Sequence, residues 1–125
     1  YVLDSKGVGK GRISVRRVGV ILARGPAQLF VGSRNRTSYV EGMRRQVEAV
    51  AKALSAFPEA SEVDIRAMVV ISGAEWGLLA RPYNVQRVWV GWPKAAAKLV
   101  ASPGPLNAEA RSRLAHVIAA RLPVA

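Results

Sequence analysis

The sequence predicts an α/β fold in which a mixed central sheet is flanked by helices. Three observations lead there. Short apolar runs with strand-like alternation open the chain and recur in its second half, at "VLDS", "VDIRAMVVISG" and "NVQRVWVGW". A long amphipathic stretch lies between the first of these runs and the later two. Half of the 125 residues are hydrophobic, which suffices for one buried core and argues for a single domain.

Residues 1 to 5 read as a strand, and "GVGKG" after it reads as a turn rich in the residue that tolerates positive φ. "RISVRRVGVIL" alternates Ile13, Val15 and Val18 with basic neighbours, predicting a strand with a positive, solvated face. "GPAQLFVGS" predicts a turn and a short strand that complete an antiparallel set. From Ser38 to Phe57, the residues Val40, Met43, Val47, Val50, Leu54 and Phe57 fall on one helical stripe. Ser38 and Glu41 have capping-box spacing at its start, and Pro58 closes it. After the later strands, "PKAAAKLVAS" opens with a first-turn proline and predicts a short helix. "SPGPL" interrupts it, and Asn107 is placed to cap a last helix whose stripe holds Ala110, Leu114, Val117 and Ile118. The chain begins at Tyr1 inside a strand, so residues 1–125 are expected to be the C-terminal part of a longer, N-terminally truncated domain.

The net charge is +11, and it is unevenly spread: residues 1–52 carry eleven Lys/Arg against three Asp/Glu. A basic surface of this kind attracts polyanions such as nucleic acid through counterion release. There is no cysteine, which rules out disulfides and thiolate metal sites and fits a cytoplasmic protein. No apolar run approaches the roughly 18 residues of a membrane span.

Several chemistries lack their residues. A Walker-type phosphate loop would need a glycine where Asp4 stands and Ser or Thr after Gly9-Lys10, where Gly11 stands. The single histidine, His116, sits in the final amphipathic helix and reads as structural rather than as a catalytic base. Carboxylates remain. Asp4 and Lys6 lie two apart on a strand and therefore share a face. A strand-end aspartate can hold Mg²⁺ through oxygen, and a lysine beside it can position water or a phosphate. The same pair, read as a solvated ion pair at a strand end, has no catalytic meaning.

The runs "YVLDSKGVGKGRISV", "LFVGSRNRTSYVEGMRRQVEAVAKAL", "VVISGAEWGLL" and "VGWPKAAAKLV" together resemble the nuclease-related domain, NERD, especially its actinobacterial versions. The similarity covers nearly the whole chain in order. NERD is grouped with the PD-(D/E)xK superfamily, so the resemblance implies a restriction-endonuclease-like fold. It further implies that Asp4 and Lys6 form the (D/E)xK half-motif, with Asp4 as a ligand of Mg²⁺ or Mn²⁺ and Lys6 as the water- or phosphate-positioning base. Gln46 matches the family's glutamine on the helix after the sheet, and its place at the edge of the apolar stripe lets it reach toward a sheet edge. The family's upstream acidic residues are absent from this chain, which leaves the implied metal site incomplete.

Lys10, Arg12, Arg44 and Arg45 are the candidate nucleic-acid contacts, with a solvated basic surface as their ordinary role. Glu41 and Glu48 have ordinary roles as a cap partner and as an i,i+4 partner of Lys52. Glu75-Trp76 follows a strand end, where Trp76 covers the sheet edge; Trp89 reads as strand core and Trp92 as strand-end packing. The expected function is a metal-dependent nuclease-like domain that hydrolyses DNA phosphodiesters. A non-catalytic nucleic-acid-binding or interaction module on the same fold is the alternative, followed by a structural domain whose basic charge is compositional.

Overall fold

The computed structural model describes residues 1–17 and 25–122. In chain order the elements are β1 (Val2–Gly7), β2 (Ile13–Arg17), β3 (Ala27–Val31), β4 (Arg34–Asn35), α1 (Thr37–Leu54), β5 (Ala67–Ser72), β6 (Tyr83–Val85), β7 (Val88–Gly91), α2 (Pro93–Val100) and α3 (Ala108–Arg121). The expected mixed sheet is present, in the order β1-β5-β7-β6. β1, β5 and β7 run parallel, whereas β6 is antiparallel to β7. β2, β3 and β4 form a separate antiparallel sheet. The part of the predicted second strand from Val18 to Leu22 lies outside the described residues.

β5 is apolar on both sides because both of its faces are covered. Ala67, Val69 and Ile71 face α1 and pack with Val40, Met43, Val85, Val88 and Val90, and with Ile13, Leu29 and Val31 of the small sheet. Met68 and Val70 face the other way, under Ala96 and Leu99 of α2. β1 contacts one strand only, so it forms one end of the sheet among the described residues. Along β1, Val2, Asp4 and Lys6 are half-buried, while Leu3, Ser5 and Gly7 are exposed.

Several local expectations are corrected. α1 starts at Thr37, one residue early, without the Ser38/Glu41 capping box. Thr37 is buried and its Oγ1 accepts from the Leu29 amide at 3.0 Å, while Asn35 Oδ1 accepts from the Thr37 amide at 2.9 Å. Tying the helix start to β3 in this way moves Ser38 into the first turn, where it cannot cap. α1 ends at Leu54, and Phe57, still buried, bonds back through its amide to the Leu54 carbonyl.

"NVQRVWVGW" is not one strand but a hairpin. Gln86 and Arg87 turn the chain with φ of 50° and 69°, the positive pair that a two-residue primed turn requires. Trp89 lies on the exposed side of β7 instead of in the core, since Val88 and Val90 take the inward positions. Glu48 and Lys52 form no ion pair, both being exposed on the outer face of α1. The predicted cap of the last helix is present: Asn107 Oδ1 accepts from the Ala110 amide at 2.8 Å. Trp76 covers the sheet end opposite β1, its ring stacked 6.1 Å from Tyr83 of β6 and tilted 5.0 Å from Trp92.

Candidate functional site

β1 sets Asp4 beside Val69 and Lys6 beside Ile71, both of which are fully buried in the central strand. The two charged side chains therefore rise from the end strand over the flank of α1. Lys6 Nζ lies 3.1 Å from Asp4 Oδ2, and Gln46 Nε2 donates to the same oxygen at 3.3 Å. Helix periodicity explains the second contact. Tyr39 and Gln46 are seven residues, or two turns, apart, and both reach β1 side chains. The Tyr39 ring lies 5.5 Å from Lys6 Nζ and 5.6 Å from the Arg36 guanidinium carbon, so one aromatic ring attracts two cations.

Asp4, Lys6 and Gln46 are thus brought together as one cluster. The side chains of Asp4 and Lys6 keep 21% and 36% of their accessibility, enough to admit a ligand. Both protein contacts of Asp4 use Oδ2; Oδ1 has no partner among the described residues. That oxygen is a hard donor suited to Mg²⁺, which needs only one or two carboxylates when water and phosphate oxygens fill its other positions. Among the described residues no three His, Cys, Asp or Glu side chains gather into a metal-holding group. Asp4 would be the lone carboxylate of any such site.

The basic candidates divide among four places. Lys10 is exposed in the loop after β1 and lines a pocket of about 350 Å³ with Arg34 and Arg36. Arg12 aligns with Glu75 in an isolated parallel bridge. Arg44 points to the far end of the sheet, where Nη1 donates to Gln86 Oε1 at 3.3 Å and Gln86 Nε2 donates to the Ala27 carbonyl at 3.0 Å. That region also holds Arg66, whose hydrogen bond and charge contact with Asp64 raise its pKa above the ordinary guanidinium value. Arg45 is exposed on α1 with no ion pair among the described residues. Neither Arg44 nor Arg45 makes a hydrogen bond or ion pair to Asp4 or Lys6.

Sequence reasoning missed Tyr39, Arg36 and Arg34. The two-turn spacing from Gln46 back to Tyr39 was available as a signal; the placement of Arg34 and Arg36 beside Lys10 depends on the β3–β4 turn and has none. The chain matches no family model, and no curated protein or solved structure is significantly similar to it.

Proposed function

We propose that this chain is a metal-dependent nuclease-like domain acting on DNA phosphodiesters. The observation that carries the proposal is the convergence of Asp4, Lys6 and Gln46 at an accessible sheet end within a basic surround. The resemblance to NERD supports it, since the same three positions fill that family's half-motif and helix glutamine.

In this mechanism Asp4 would hold the Mg²⁺, with Mn²⁺ as a substitute, and the ion would supply Lewis-acid polarisation of a phosphoryl oxygen. Lys6 holds the attacking water or the scissile phosphate, and its ammonium lies where negative charge accumulates in the transition state. Gln46 fixes the rotamer of the Asp4 carboxylate through its amide, leaving Oδ1 as the outward donor. Tyr39 supports the Lys6 ammonium from below without neutralising it.

A non-catalytic nucleic-acid-binding module is favoured by one specific observation, the lack of any cluster of three His, Cys, Asp or Glu side chains that could hold a metal among the described residues. Nicking of supercoiled DNA by the full-length protein separates the two. The hydrolytic proposal expects cleavage that requires Mg²⁺ or Mn²⁺ and disappears in Asp4→Asn. Salt-sensitive DNA binding without cleavage under any divalent metal leaves the binding module.

A further inference from the structure

The loop Val8–Gly11 and the turn Val31–Arg36 meet at the C-terminal end of β1. Their approach is close: the Gly32 amide donates to the Arg12 carbonyl at 2.8 Å, and a Cβ on Gly11 would lie 3.0 Å from Val31 Cγ1. The Val8 amide meanwhile donates to the Ser72 carbonyl at 3.0 Å, which carries the register of β1 into the loop. Between the two segments lies the pocket that Lys10, Arg34 and Arg36 line.

Its electrostatics are one-sided. Among the described residues, none of these three cations lies within ion-pair distance of a carboxylate. Arg36 Nε is buried without a hydrogen-bond partner, a costly state for a guanidinium nitrogen. Arg36 also shares the Tyr39 ring with Lys6, and the two ring distances together cap the separation of those cations at about 11 Å. Four cationic groups thus run from β1 into the pocket, and among the described residues Asp4 is the one carboxylate paired with any of them. A bound anion would relieve their mutual repulsion and supply acceptors for the guanidinium donors.

We infer that the Lys10–Arg34–Arg36 pocket is a phosphate subsite that holds the backbone of a nucleic acid strand beside the Asp4–Lys6 cluster. The inference deepens the proposed function and rests on it for the strand itself. Backbone phosphates advance about 3.4 Å per nucleotide along the duplex axis, so cations no more than about 11 Å apart lie within reach of neighbouring phosphates on one strand. Lys6 then faces one phosphate while Arg36 and its pocket partners hold neighbouring ones. The pocket offers charge and guanidinium donors to phosphate oxygens, so the grip is independent of base sequence.

The test is binding of a fluorescent oligonucleotide to the full chain across a salt series without divalent metal. Lys10 and Arg34 are both exposed, so Lys10→Gln/Arg34→Gln leaves the fold intact, as circular dichroism will report. The slope of log K against log[salt] should fall by about 1.4 for a single strand or about 1.8 for a duplex, two contacts' worth. Lys94→Gln/Lys98→Gln removes equal charge from the exposed side of α2, on the opposite face of the sheet from α1, and should keep the wild-type slope. A double variant at Lys10 and Arg34 that keeps the wild-type slope overturns the subsite while the proposed function stands. A wild-type protein that binds no oligonucleotide at low salt defeats the proposed function and this inference with it. Saturation of the pocket by inorganic phosphate at sub-millimolar concentration, with no displacement by oligonucleotide, also overturns the strand assignment.

Discussion

Replacing Lys6 by methionine removes the ammonium and keeps most of the apolar stem, so it separates chemistry from folding. Its stability cost follows from what the ammonium touches. The ion pair with Asp4 at 3.1 Å is partly open to solvent, a class of contact that contributes about 0.2–1 kcal/mol. The contact with the Tyr39 ring adds about 0.5–1 kcal/mol at such an accessible site. Together they set a loss of about 1–2 kcal/mol. For a domain of 125 residues, a specific unfolding entropy of about 2.1 cal/mol/K per residue converts each kcal/mol into a shift of about 4 °C. Lys6→Met should therefore melt about 4–8 °C below wild type by circular dichroism and remain fully folded at 25 °C. Metal-dependent nicking of supercoiled plasmid at that temperature should fall at least ~100-fold, the scale on which a positioned charge or proton-transfer group acts in a transition state. Cleavage within about threefold of wild type would refute the role of Lys6. A melting point lowered by more than about 15 °C would refute the stability reasoning and mark Lys6 as a structural residue.

Gln46→Leu should cost under about 1 kcal/mol, because its bond to Asp4 is long and exposed, yet it should weaken Mn²⁺ binding by freeing the Asp4 rotamer, as read by titration calorimetry. Gly73→Ala should destabilise by more than about 2 kcal/mol in urea unfolding, since φ there is 86° and a Cβ would strike the Val8 carbonyl. Trp76→Ala should lose near-ultraviolet dichroism and about 2–4 kcal/mol, because the ring spans Tyr83 and Trp92 over the sheet end.

What the sequence made legible follows from which interactions are local. Strand alternation alone put Asp4 and Lys6 on one side, and the ladder to β5 keeps them there. Helix periodicity placed Val40 and Met43 inward and left Gln46 able to reach the sheet edge. The cap at Asn107 is equally local. Three features escaped because their determinants are not. The start of α1 depends on a Thr37 bond to Leu29, eight residues back on another element. The β6–β7 turn carries Gln86-Arg87 in place of the Asn-Gly that announces such turns, and Gln86 is held by Ala27, fifty-nine residues away. Trp89 has the composition of a core residue, and only the hairpin register turns it outward.

The position of the charged cluster is itself a consequence of sheet order. β5 has neighbours on both sides and layers above and below it, so any ionised group on its inward face would meet apolar contacts alone. Its residues opposite Asp4 and Lys6 are Val69 and Ile71, each with no exposed surface. One strand away, the same inward-pointing positions lie at the flank of α1, where Gln46 and Tyr39 offer polar and aromatic partners and solvent reaches the carboxylate. Transferring the pair inward, as Val69→Asp/Ile71→Lys, should abolish folding, because the buried ions would lack hydrogen-bonding partners on every side. Soluble, cooperatively melting protein from that variant would show that the layer between α1 and the sheet tolerates charge, and the end-strand location of Asp4 and Lys6 would then need another cause.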